Sequence, residues 1–108
     1  MYSIFYNLIL NSIKYRKPGS QPVINISTTL TDNVLSIYYK DNGRGVDMSK
    51  YANEIFGLYK RFDTSVEGKG MGLFMIKMQV ESMGGNISLK SALNEGVEFV
   101  IEIPQGNL

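Results

Sequence analysis

Residues 21–41 read QPVINISTTLTDNVLSIYYKD. Gln21–Thr31 and Val34–Asp41 are rich in Val, Ile, Thr and Tyr, the side chains that suit a pleated surface, and Thr31-Asp32-Asn33 between them is turn-prone. Strands joined by so short a turn pair antiparallel, because a parallel neighbour needs a crossover of about a dozen residues or more. The chain repeats the pattern near its end, where Asn86–Ser91 and Gly96–Ile103 flank Asn94-Glu95-Gly96 and Pro104 follows. Helical spacing fills much of the remainder. Ile4, Phe5, Leu8, Ile9 and Ile13 predict a helix within Met1–Lys17, closed by Pro18-Gly19. A short helix is expected from Ser49 to about Tyr59, and Arg61–Gly70, polar and without a period, reads as a mobile loop. Leu73, Ile76, Val80 and Met83 mark a further helix over Met71–Met83, with Lys77 and Glu81 one turn apart and Gly84-Gly85 as its stop. Two hairpins with helices able to cover one face predict an α+β fold, a two-layer sandwich on a mixed, mainly antiparallel sheet.

The 108 residues suit one domain, 1–108, with a single core. Eleven basic and ten acidic residues leave a net charge of +1, so bulk electrostatics offers no attraction to nucleic acid or to an anionic membrane surface. A charged ligand must be held by a local site. The chain has no cysteine, hence no disulfide framework or zinc-type cluster, and suits a reducing compartment. It also has no histidine, which removes a Ser-His-Asp triad, a histidine base and histidine metal ligands from this chain. No apolar run reaches the ~20 residues that span a bilayer, and no signal-peptide pattern opens the sequence.

Three constellations carry possible chemistry. Asn7, Asn11 and Lys14 stand at i, i+4 and i+7, with Tyr15 one turn beyond Asn11. That face is either solvated, or it offers carboxamide oxygens to a phosphate-bound magnesium ion and an ammonium to phosphate. In DNGRGVD, Asp41 shares the face of Leu35, Ile37 and Tyr39 by the count of two along a strand. A carboxylate on an apolar face needs a donor from the protein or from a ligand such as an exocyclic amine. Gly43 and Gly45 then clear the wall beside it for a flat ring; an Asx turn that simply reverses the chain is the other reading. In VEGKGMGLFMI, Gly68, Gly70 and Gly72 run into a helix. The stretch is not a Walker A loop, since Gly70 follows Lys69 where Ser or Thr is needed, and its spacing is not that of a dinucleotide fingerprint. Backbone N–H groups at a helix start that faces phosphate, or a hinge, remain. Lys69 and Arg61 either add charge near phosphates or are ordinary solvated residues.

Taken in order, NLILNSIKY, DNGRGVD, IFGLYKRF and GKGMGLFMIK resemble the N box, first glycine box, F box and second glycine box of the ATP-binding catalytic (HATPase) domain of sensor histidine kinases. This group belongs to the Bergerat-type superfamily that includes type II topoisomerases, mismatch-repair ATPases and a heat-shock chaperone. The tail VESMGGNISLKSALNEGVEFVIEIP is similar to the family's closing helix and hairpin, so the likeness covers nearly the whole chain. The resemblance implies ATP and Mg2+ as cofactors. Asn11 would ligate magnesium, Asn7 would lie beside it and share the catalytic role, and Lys14 and Tyr15 would lie toward the phosphates and the sugar or base. Asp41 would accept from the adenine amine, with Gly43 and Gly45 packed against the ring. Gly68, Gly70, Met71, Gly72 and Leu73 would form the lid hinge and phosphate-facing helix start, with Arg61 and Lys69 near the phosphates.

The same resemblance implies a kinase that presents the γ-phosphate to a histidine on a separate dimerisation and phosphoacceptor domain, with a response regulator downstream. It implies a cytoplasmic location, which includes the intracellular part of a membrane-bound sensor, with no membrane contact from this segment. The sequence starts at the N box, so the sheet is expected to lack an N-terminal edge strand, and an open edge favours self-association. Two other functions compete. An autonomous ATPase calls for a glutamate four residues before the key asparagine, where Asn7 stands. A non-catalytic interaction module would keep the fold without the nucleotide.

Overall fold

The computed structural model describes residues 2–45 and 72–105. The short helix expected from Ser49, IFGLYKRF and the polar loop Arg61–Gly70 lie outside the described residues. Helix α1 spans Tyr2–Lys14, strands β1 and β2 span Ile24–Thr31 and Val34–Asp41, helix α2 spans Gly72–Ser82, and strands β3 and β4 span Asn86–Ser91 and Val97–Pro104. Both predicted hairpins form, and they join through their second strands into a four-stranded sheet of order β1-β2-β4-β3. All three described pairings are antiparallel.

The first hairpin turns on two residues. Thr31 pairs with Val34, and Asp32 and Asn33 between them have φ of 53° and 62°. Two successive left-handed residues match the right-handed twist of the flanking strands, and Asp and Asn tolerate that conformation better than other side chains with a Cβ. At the end of α2, Gly85 N donates to Val80 O at 3.0 Å and Gly84 N to Glu81 O at 3.0 Å, the Schellman arrangement, with Gly84 at φ 76°. The predicted Lys77–Glu81 pair stands at 3.9 Å with both side chains about half exposed, so it adds little to stability.

One face of the sheet carries the core. Ile37 and Tyr39 of β2 and Phe99, Ile101 and Ile103 of β4 are buried beneath Ile4 and Leu8 of α1 and Ile76 and Val80 of α2. Tyr39 and Phe99 are cross-strand partners whose rings meet edge to face at 6.2 Å. The five apolar positions of α1 do not form one buried stripe. Ile4, Leu8 and Ser12, spaced by four, point inward, whereas Ile9 and Ile13 are 38% and 45% exposed. At 100° per residue, Ile9 and Ile13 lie a quarter-turn or more from the line through Leu8 and Ser12. The two helices pack side by side, and β1 at the sheet edge remains exposed beyond Ile24.

Candidate functional site

The inward count along β2 brings Asp41 to the end of the core face, where it is 7% exposed. Its carboxylate is held from three sides. Oδ1 accepts from the backbone N–H of Gly43 at 2.9 Å and of Val97 at 3.1 Å, and Oδ2 accepts from Ser12 Oγ at 2.6 Å. Asp41 thus joins its own loop, the start of β4 and the inner side of α1. The Gly43 contact is an Asx-type turn, so that reading and a buried acceptor both hold at this residue. Ser12 also lies 2.7 Å from the Tyr39 hydroxyl.

Burial pushes the Tyr39 phenol up to about 12; the Ser12 hydrogen bond pulls against this and the Asp41 charge adds to it. The hydroxyl therefore keeps its proton through the physiological range. A folded-state value above the unfolded 10.0 means that the native state holds this proton more tightly. The associated stability is complete below pH 10 and is lost as pH rises toward 12. We expect alkaline destabilisation on the order of 2 kcal/mol from this group. Urea titrations in that interval should show the Tyr39→Phe variant, less stable at neutral pH, losing less on alkalinisation than the parent.

The loop after Asp41 lies against protein on two sides. Arg44 N donates to Tyr15 O at 2.9 Å, Arg44 Nε to Arg16 O at 2.9 Å, and Asn94 N to Arg44 O at 2.6 Å. A Cβ on Gly43 would meet the Tyr15 carbonyl oxygen at 2.8 Å. Gly45, at φ 71°, faces the backbone of Ala92 and Gly96. The close approach that demands glycine at these positions is therefore between this loop, the end of α1 and the second hairpin turn.

Asn11, Tyr15, Asp41, Gly43, Gly45 and Leu73 line one cavity together with the apolar side chains of Leu8 and Phe99. Asn11 Nδ2 is buried there and has no hydrogen-bond partner among the described residues. A buried amide donor without a protein partner, on a residue that lines a cavity, suits a ligand with acceptor oxygens. Asn7, one turn earlier on α1, and Lys14 are half-buried and are not among the lining residues. Gly72 opens α2, so Leu73 brings the first turn of that helix to the cavity. Arg61, Gly68, Lys69, Gly70 and Met71 lie outside the described residues. No cluster of His, Cys, Asp or Glu able to hold a metal occurs among the described residues. A divalent cation here would take a carboxamide oxygen from Asn11 and its other ligands from phosphate and water, as Mg2+ commonly does.

The sequence reading missed Ser12, the Tyr39 hydroxyl, the Val97 N–H and Arg44. Ser12 had a signal: it continues the i, i+4 series of Ile4 and Leu8, and a hydroxyl on a buried stripe needs a partner. The Val97 contact had none, because 56 residues separate it from Asp41.

A family model described as histidine kinase-, DNA gyrase B- and HSP90-like ATPase matches residues 1–107. The sensor protein SrrB of Staphylococcus aureus is 33% identical over 109 residues, covering 97% of this chain and 18% of the relative. The chain thus spans about a fifth of the length of the curated relatives it matches. Among solved structures, the mycobacterial sensor histidine kinase MprB superposes with a TM-score of 0.79 at 22% identity, over 94% of this chain and 70% of that one. Full-length ShkA in complex with AMPPNP gives 0.75 at 26% identity, over 94% of this chain and 20% of that one.

Proposed function

The chain belongs to the family of histidine kinase-, DNA gyrase B- and HSP90-like ATPases, and we propose that residues 1–108 are the ATP-binding catalytic domain of a two-component sensor histidine kinase. The observation that carries this reading is the buried Asp41 carboxylate on a cavity shared with Asn11, whose Nδ2 has no partner among the described residues. Asp41 accepts from the adenine amine at one end. Asn11 serves the triphosphate and its Mg2+ at the other, with Asn7 and Lys14 nearby on the helix and Tyr15 toward the sugar or base. Gly68, Gly70 and Met71 precede α2 in the sequence and Gly72 opens it; in this reading the positive end of its first turn serves phosphate, with Arg61 and Lys69 adding charge.

Magnesium supplies charge neutralisation at the phosphates when it is bound. The chain's own residues bind and orient the nucleotide so that its terminal phosphoryl group is presented outward. With no histidine in the chain, the nucleophile comes from a separate phosphoacceptor domain, and a response regulator receives the phosphoryl group later. An intracellular location belongs to the same proposal; no helix among the described residues is long and apolar enough to cross a membrane. Asn7 in place of a water-activating glutamate disfavours autonomous hydrolysis.

Calorimetric titration with Mg-ATP and with a non-hydrolysable analogue tests the reading. Both ligands should bind, and Asn11→Ala should weaken binding by roughly tenfold or more, with the loss concentrated in the magnesium-dependent part. Failure of the folded chain to bind either ligand would instead support a non-catalytic interaction module. Steady phosphate release without a partner would support an ATPase.

A further inference from the structure

The hydrogen bonds on Asp41 determine how many acceptor sites a ligand can use. A carboxylate oxygen has about two lone-pair sites. Those of Oδ1 are taken by the N–H groups of Gly43 and Val97, and one of those on Oδ2 by Ser12. Among the described residues, a single site on Oδ2 remains. The direction of the chain behind it follows from counting protons. Ser12 has one hydroxyl hydrogen, and Asp41 receives it; the hydroxyl of Tyr39, 2.7 Å from Ser12 Oγ, must therefore be the donor in that contact. Protons run from Tyr39 to Ser12 to Asp41, and such chains polarise one another favourably. Their origin is rigid, because Tyr39 is fully buried with its ring against Phe99.

We propose that Ser12, anchored by Tyr39, positions the Asp41 carboxylate so that its one free acceptor site selects a 6-amino purine over a 6-oxo purine. The inference rests on the reading of Asp41 as the base-binding group. A 6-amino purine brings one N–H to that site. A 6-oxo purine brings an oxygen against a carboxylate, and its adjacent ring N–H can be reached only if the carboxylate turns or the base shifts. Ser12 restrains the turn. With the hydroxyl removed, Oδ2 regains its second site and its freedom, so the 6-oxo base is accommodated better while the 6-amino base loses its fixed partner.

Titration of the full chain with Mg-ATP and with the magnesium complex of inosine triphosphate, which differs at the 6-position, reads this out. The parent should favour Mg-ATP. Ser12→Ala should lower Mg-ATP affinity by about tenfold, the scale of one charge-assisted hydrogen bond, with a smaller loss for the inosine ligand, so that the ratio narrows. Ser12→Thr, which keeps the hydroxyl, should restore the ratio, and Tyr39→Phe should narrow it in the same direction as Ser12→Ala. A folded Ser12→Ala protein with an unchanged ratio, or with equal losses for both ligands, overturns the inference while leaving the nucleotide site intact. An unchanged ratio in a folded Asp41→Ala protein removes the base reading itself, and the inference with it.

Discussion

Replacing Gly96 by alanine is expected to remove more than about 3 kcal/mol of stability, enough to leave much of a marginal domain unfolded. Two faults combine at this position. Gly96 has φ of 76°, a left-handed conformation that costs a residue with a Cβ about 1–2 kcal/mol. A Cβ there would also overlap the carbonyl oxygen of Asp41 and crowd the Asn42 Cα. Backbone cannot yield as a side-chain tip can. Relief requires the β3–β4 turn to lift from the end of β2, which strains the Val97 N–H contact to Asp41 and the Ser91 Oγ bond to Gly96 O. Gly84 supplies the control, since it has the same φ of 76° and a Cβ added to it would meet nothing within 4 Å. Gly84→Ala should therefore show the conformational penalty alone, about 1–2 kcal/mol. Thermal denaturation should separate the two variants by roughly 10 °C; equal melting points would show that the close approach to Asp41 contributes nothing.

The contrast between Gly96 and Gly84 also marks what was readable in the chain. Gly84 ends a helix, and its role is local: the periodic apolar residues stop there and two glycines follow. The hairpins were legible for the same reason, as was the inward direction of Asp41, which needs only the two-residue period of β2. Gly96 was read as part of a turn, and that is also local. Its contact with Asp41 depends on β2 pairing with β4, which no turn or period encodes; the register Lys40↔Glu98 arises from two hairpins docking through strands far apart in sequence. The candidate site divides in the same way. Asn11, Asp41 and the glycines stood out by residue type and spacing, while the two N–H donors and the hydroxyl that orient Asp41 became visible only once α1, the loop and β4 converged. Ser12 lies between these cases, concealed because the apolar positions of α1 were grouped as one stripe rather than divided by angle.

Asp41 itself is expected to give the largest functional loss, and two substitutions separate its contributions to folding and to binding. Asp41→Ala leaves the Gly43 N–H, the Val97 N–H and the Ser12 hydroxyl without their acceptor in a nearly buried place. An unsatisfied buried group costs about 1–3 kcal/mol, so the variant should lose about 3 kcal/mol or more and bind Mg-ATP at least roughly a hundredfold more weakly. On its own, that result would not distinguish a lost ligand contact from a collapsed site. Asp41→Asn does. Its retained oxygen can still accept from Gly43 and Val97, and its amide can donate to Ser12, which then turns its hydrogen toward Tyr39. Only the Tyr39 hydroxyl hydrogen then loses its acceptor, against three orphaned donors in Asp41→Ala, so more of the stability should survive. The ligand, however, now meets an N–H where its amine needs an acceptor. Chemical denaturation and calorimetry together should show a stable Asp41→Asn protein with nearly the same binding defect as Asp41→Ala. A stable asparagine variant that binds Mg-ATP as tightly as the parent would mean that the buried carboxylate serves the fold alone.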